Sequence, residues 1–341
     1  MGDVPEVVRP AEDDALALVD AELLSADEAL YARAARAANT VRGYRSDWRE
    51  WTAWCAEHGL AALPANPAAI SAYLTFLAGH GARVGTMSRR LSAIRFAHRL
   101  RDLSDPTEAA RVVAVWEGIR RVHSAPPEQA APLMPPELFA VLDACPEVRR
   151  WKTKGRDPEP DLAGLRDRAL ILVGFVGALR RSELVALDTD SVAEHPNGLV
   201  VTIPRSKTNQ TGESAELVVL PRGGDPRRCA VTALHNWTEA AGIADGPLLR
   251  PVSKGNRALA RRLNADSANL LVQQAIARAG LDPLPYSAHS LRAGFVTYAH
   301  LRGASDRAIA HQTRHRSLAT LGRYVRISEA WVDNAATQLG L

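Results

Sequence analysis

Seven residues in the second half of the chain are of types that handle anions and protons: Arg180, Glu183, Lys207, His289, Arg292, His315 and Tyr324. Arg180 and Glu183 stand three apart in GALRRSEL (177–184), and His289 and Arg292 three apart in AHSLR (288–292). That spacing puts each pair on one helix face, where both members can reach one ligand. Arginine presents a planar fork that matches the oxygens of a phosphate, whereas lysine presents a point charge. Histidine changes charge near neutrality and can move a proton. Tyrosine carries a hydroxyl whose ordinary pKa is about 10, so it attacks only beside a base or strong positive charge. Taken singly, each signature is ordinary. RxxE reads as a surface ion pair, Lys207 as a solvated turn lysine, His289 as a helix-start residue and Tyr324 as half-buried packing.

The elements that would hold these residues can be read along the chain. Ser25 with Glu28 is a capping box for a helix over 26–38. A second helix, 40–57, aligns Tyr44, Trp48, Trp51 and Cys55 as an apolar stripe and turns Arg42, Arg45 and Arg49 elsewhere; Gly59 stops it. Asn66-Pro67 opens a third, 68–78. A fourth, 86–100, turns Met87, Leu91, Ile94 and His98 inward and Arg89, Arg90 and Arg95 away. A fifth spans about 107–122. The proline-rich, aperiodic stretch 124–136 reads as a domain linker. Beyond it come helices over 136–144 and 162–178. LVVTIPRS (199–206) and AELVVLPR (215–222) are β-branched runs that predict a hairpin with Lys207 at the edge of its turn. The remainder is helical. The fold class expected is therefore mainly α, with an acidic, unstructured segment at 1–24, a helical bundle at 25–123, and a second domain at 137–341 that adds a small antiparallel sheet.

Composition narrows the class. The chain has 341 residues, 46% of them hydrophobic, enough for two cores. No apolar run reaches membrane-spanning length, and the acidic N-terminus is no secretory signal. Three widely spaced cysteines make no disulfide framework and no zinc knuckle, which fits a reducing cytosol. His311 and His315 have the spacing of a helical zinc pair, but no glutamate lies between them and no third ligand suggests itself, so no metal is expected. Only four of the 42 basic residues are lysines, which singles out Lys207. Net charge is +4, with acid concentrated at the start and arginine later, a balance that suits a polyanionic partner.

In order and spacing, Arg180, Lys207, His289 with Arg292, His315 and Tyr324 resemble the tyrosine recombinase (phage integrase) family. Its pattern is Arg, a hairpin Lys, H-x-x-R, then His or Trp, and a Tyr nine residues on. Here His315 to Tyr324 is nine and Arg292 to His315 is 23. The stretch from Trp48 to Ala78 resembles the first domain of the Cre-like members, so the resemblance covers about 26–341. It implies a two-domain clamp on DNA, a core-binding bundle followed by a catalytic domain. It implies that Tyr324 attacks the phosphodiester to give a 3′-phosphotyrosine, with Arg180, Arg292 and His315 meeting the charge on the phosphate oxygens. His289 would take the tyrosine proton, held in orientation by Glu183, and Lys207 would protonate the departing 5′-oxygen. Neither metal nor ATP is needed, because the phosphotyrosine ester retains the bond energy. There is no GxxxxGK[ST].

The resemblance also places Arg42, Arg45, Arg49, Arg89, Arg90 and Arg95 over the major groove, and Asn264, Ser267 and Asn269 at the start of a reading helix over 265–279. It implies that an amphipathic tail, 328–341 with Trp331, Ala335 and Leu339 on one side, docks on a neighbouring copy in a homotetramer on double-stranded DNA carrying inverted repeats. Holliday junctions would be the exchange intermediates. A type IB topoisomerase or a silent DNA-binding protein are the alternatives. One departure stands out: Thr313-Arg314 precedes His315 where the family has Leu-Gly.

Overall fold

The computed structural model describes residues 38–125, 130–149, 157–203 and 216–314. The acidic segment and nearly all of the helix expected over 26–38 lie outside them. The chain divides into two compact units, 1–127 and 128–341. In the first, α1 (Ala38–Glu57) packs against α3 (Val84–Arg99), and α2 (Pro67–Gly79) against α4 (Ala110–His123). The apolar stripe of α1 is its core: Trp48, Trp51 and Cys55 are buried, and Trp51 meets Tyr73 edge-on at 5.1 Å. Asn66 caps α2, its side chain accepting from Ala68 N at 2.8 Å. His98 is buried on α3, where Nε2 accepts from Ala65 N at 2.8 Å and Nδ1 sits 2.8 Å from Ile94 O.

The second unit is built on α6 (Leu162–Val176), almost every residue of which is buried. Its continuous apolar character follows from this: α8 (Ala230–Ala240), α9 (Ala265–Arg278) and α10 (His289–Leu301) all pack on it. Short helices α5 (Glu137–Asp143), α7 (Arg181–Ala186) and α11 (Asp306–Thr313) complete the helical part. Strands β1 (Val148–Arg149) and β2 (Glu159–Pro160) pair with each other. Strands β3 (Val192–His195), β4 (Gly198–Ile203) and β5 (Glu216–Pro221) form an antiparallel sheet in that order, with Val200 opposite Val219. The expected hairpin is β4–β5. Strand β3 is an addition, missed because VAEH is short and largely exposed. No described helix is long and apolar enough to cross a membrane.

The expected linker needs correction. Only its first part is a boundary; residues 130–136 belong to the second unit. Ala131 N donates to Pro285 O at 2.8 Å, Leu133 N donates to Ser290 O at 3.0 Å, and the Leu133 side chain is fully buried in the core. Prolines remove periodicity without preventing an extended strap from burying one leucine. The strap lies so close to α10 that a Cβ on Gly294 would sit 1.9 Å from Leu133 O.

Candidate active site

Helix α6 ends at Val176, and the chain turns into α7 through Ala178, a non-glycine residue at φ 45°. The turn delivers Arg180 to the N-cap of α7 and Glu183 to its third position. Glu183 is buried, and both its oxygens are engaged. Oε2 accepts from the Arg180 backbone N at 2.9 Å, and Oε1 from the Arg180 guanidinium at 2.6 Å. A second guanidinium, that of Arg314, donates to Oε2 at 2.6 Å. Burial pushes the carboxyl up, but Arg314 and the Arg180 contacts outweigh it and hold its pKa below the ordinary value.

The other pair opens α10. Asn269 on α9 accepts from Ala288 N at 2.9 Å, and Gln273 donates to Tyr286 O at 2.9 Å, so α9 holds the entry to the helix. His289 keeps an exposed face, yet its pKa is lowered by partial desolvation, then by Arg292 and Arg180. These three residues therefore share one electrostatic neighbourhood. Arg292 is buried and braces two turns, donating to Ala178 O at 2.6 Å and to Thr313 O.

Residues 312–314 close the cluster. Gln312 donates to Val176 O and to Val219 O, each at 2.9 Å, tying the end of α11 to α6 and β5. Thr313 is fully buried. Arg314 has φ 57° and ψ 43°, the left-handed conformation that glycine adopts freely. The position before His315 where the family pattern has glycine is thus a left-handed turn with an arginine in it. For a residue with a Cβ the conformation costs roughly 1–2 kcal/mol, and the guanidinium lies between carboxylates. Its Nε is 3.3 Å from Glu216 on β5, and its third nitrogen donates to Gln312 O at 3.2 Å.

Arg180, Glu183, His289 and Arg292 are thus brought together. Lys207, His315 and Tyr324, with the tail 328–341, lie outside the described residues. The residues expected on DNA divide. Arg42, Arg45 and Arg49 are exposed along α1. Arg89 makes a two-pronged bond to buried Asp47 at 2.7 and 2.9 Å, though half its side chain stays in solvent. Arg90 is largely enclosed by Glu50, Asp47 and the Tyr73 hydroxyl, and Arg95 is paired with Asp105 at 2.7 Å. Arg90 is therefore tied into the bundle, whereas Arg95 braces Asp105 with 42% of its side chain in solvent. Asn264 is the N-cap of α9, accepting from Asp266 N at 2.8 Å, and Ser267 is exposed. Asn269 positions α10. Sequence reasoning missed Gln312 and Arg314 as site residues; the exchange of glycine for arginine was the signal that could have found them. Burial pushes the thiols of Cys55 and Cys145 up to about 11, so neither is a nucleophile at neutral pH.

Comparison with known proteins finds matches in both units of the chain. Residues 156–330 match the model of the phage integrase family, and residues 27–100 match that of a phage integrase N-terminal SAM-like domain. The chain is 33% identical to an integrase/recombinase XerD homolog of Selenomonas ruminantium, over 81% of this chain and 78% of that one. It is 28% identical to tyrosine recombinase XerD of Rhizobium meliloti, over 76% of each. Among solved structures, the XerH site-specific recombinase bound to palindromic difH substrate has a TM-score of 0.58 at 14% identity, covering 92% of this chain and 84% of that one. A lambda integrase tetramer bound to a Holliday junction has a TM-score of 0.56 at 15% identity, covering 87% and 74%. These last two show the likeness of fold. The family match takes in half the chain and the four clustered residues, and the chain belongs to the phage integrase family, the tyrosine site-specific recombinases.

Proposed function

We propose that the protein recombines DNA at specific sites by transesterification through Tyr324, and that the cluster around Arg180 and Arg292 is its phosphate cradle. One observation carries the reading. A partly buried guanidinium (Arg180), a fully buried one (Arg292) and a histidine held toward its neutral form (His289) meet where α6, α7, α10 and α11 converge. The phosphoryl oxygens gain charge as attack proceeds, and preorganised guanidiniums there stabilise the transition state more than the ground state. In the step proposed, the Tyr324 oxygen bonds to phosphorus and the P–O5′ bond breaks. The phenolic proton passes to His289, and Lys207 gives a proton to the 5′-oxygen. A 5′-hydroxyl from the partner strand then reverses these events. Bonds made and broken are of one kind, so no ATP enters the balance, and the residues suffice without a metal.

The same reading makes the partner double-stranded DNA with inverted repeats, and the active assembly a homotetramer in the cytoplasm. It draws on the XerH and lambda integrase complexes, whose partners are DNA sites and a Holliday junction. The test is covalent trapping. The protein and Tyr324→Phe are incubated with a nicked, partly randomised duplex library without divalent metal, and SDS-resistant adducts are sequenced. Adducts from the unaltered protein alone, sharing a paired inverted repeat, are expected. Adducts with no common sequence would point to a topoisomerase, and retardation without adducts to a silent binding protein.

A further inference from the structure

Among the described residues, Arg314 is the buried cation of the cluster that the cleavage mechanism leaves without a task. Its position is unusual three times over. It occupies a left-handed turn. Its side chain is nearly as buried as that of Arg292, at 6% exposure. Each arm of its guanidinium meets a different element: Glu183 on α7, Glu216 at the start of β5, and the Gln312 carbonyl at the end of its own helix.

These contacts set the charge of the cradle. Glu183 is a buried carboxylate, and its near cations are Arg180 and Arg314. Glu216 lies against Arg314. Among the described residues, the guanidiniums of Arg180, Arg292 and Arg314 stand against the carboxylates of Glu183 and Glu216, so losing Arg314 lowers the charge of the cluster by one. Of the two described cations that meet Glu183, Arg180 would then remain, and a guanidinium committed to a buried carboxylate has less to give a phosphate.

We propose that Arg314 is a positioning residue for DNA cleavage: it neutralises Glu183 and so frees Arg180 to meet the scissile phosphate, while joining the end of α11 to α7 and β5. It touches no reacting atom. The inference rests on the function proposed above, because it assigns Arg180 to the phosphate. The left-handed turn makes the experiment clean. Glycine is at ease at φ 57°, so Arg314→Gly removes the guanidinium without straining the backbone.

The experiment uses the full chain and a duplex that yields adducts with the unaltered protein. Two quantities are followed, DNA retardation and the rate of covalent adduct formation. Arg314→Gly is expected to bind DNA within about twofold of the unaltered protein and to form adducts about 10- to 100-fold more slowly, less than the loss typical of a direct oxyanion donor. Arg314→Lys restores part of the rate, since it returns the charge but not the three-way geometry. In a Glu183→Gln background the cost of Arg314→Gly falls to within about threefold, because no carboxylate is left to neutralise. A change of less than about twofold in Arg314→Gly, or the same loss in both backgrounds, would overturn the assignment. So would parallel loss of binding and cleavage in the Gly and Lys variants, which would mark Arg314 as serving the fold alone. An unaltered protein that forms no adducts would fell the function and this inference together. A working enzyme indifferent to residue 314 would fell the inference alone.

Discussion

At the scale of the residue, the cluster separates two kinds of charge. Glu183 is held ionised by cations, while His289 is held toward its neutral form by desolvation first and then by Arg292 and Arg180. A histidine whose pKa is lowered is unprotonated at neutral pH and can accept the tyrosine proton; it loses that capacity only as pH falls through the lowered value. NMR titration of the apo protein is expected to place His289 below the ordinary 6.5, and Arg180→Gln is expected to raise it. A His289 that titrates at or above 6.5 and ignores Arg180 would contradict the shared neighbourhood. The sign for stability is the same: protonation is opposed in the folded state, so the contribution of this group is present above its unfolded pKa and diminishes in acid. The pairs Arg180 with Glu183 and His289 with Arg292 were legible in the sequence because i, i+3 spacing sets each on one helix face. Their supports were not. Nothing in a string of letters says that Glu183 is gripped by a residue 131 positions away.

At the scale of the element, helix periods were legible because tryptophans and leucines repeat at 3.6 residues, and α1, α2 and α9 lie within two residues of their expected bounds. The strap at 130–136 was not, since prolines disguise an extended segment that buries a single side chain. Its importance can be measured. Gly294→Ala must push a methyl group into the Leu133 carbonyl, which should cost about 3 kcal/mol and lower the melting temperature of the second unit by roughly 6–12 °C. An unchanged melting curve would mean that the strap yields freely. The arginines of the first unit divide likewise. Alanine at exposed Arg45 or Arg49 should reduce the salt dependence of DNA retardation by about 0.9 in the log–log slope for each phosphate no longer neutralised. Alanine at Arg90 should lower thermal stability instead, because it releases Glu50, Asp47 and Tyr73. Equal slopes for all three variants would show that exposure does not pick out the DNA-facing positions.

At the scale of the whole molecule, the function proposed above has several active sites act in turn, with the segment after Tyr324 linking them. Deleting 328–341 is expected to abolish recombination of paired sites and to spare DNA binding. Undiminished recombination by the truncated chain would remove the tail from the assembly. The knot at residues 312–314 has a further consequence for that assembly. Gln312, Thr313 and Arg314 fasten the chain to α6, α10, α7 and β5, so everything downstream departs from a fixed mooring. Tyr324 is ten residues past it, a length of chain that spans at most about 35 Å. In the function proposed above, only a tyrosine anchored within that distance can reach a scissile phosphate, so the length of this segment bounds how far apart cutting partners can stand.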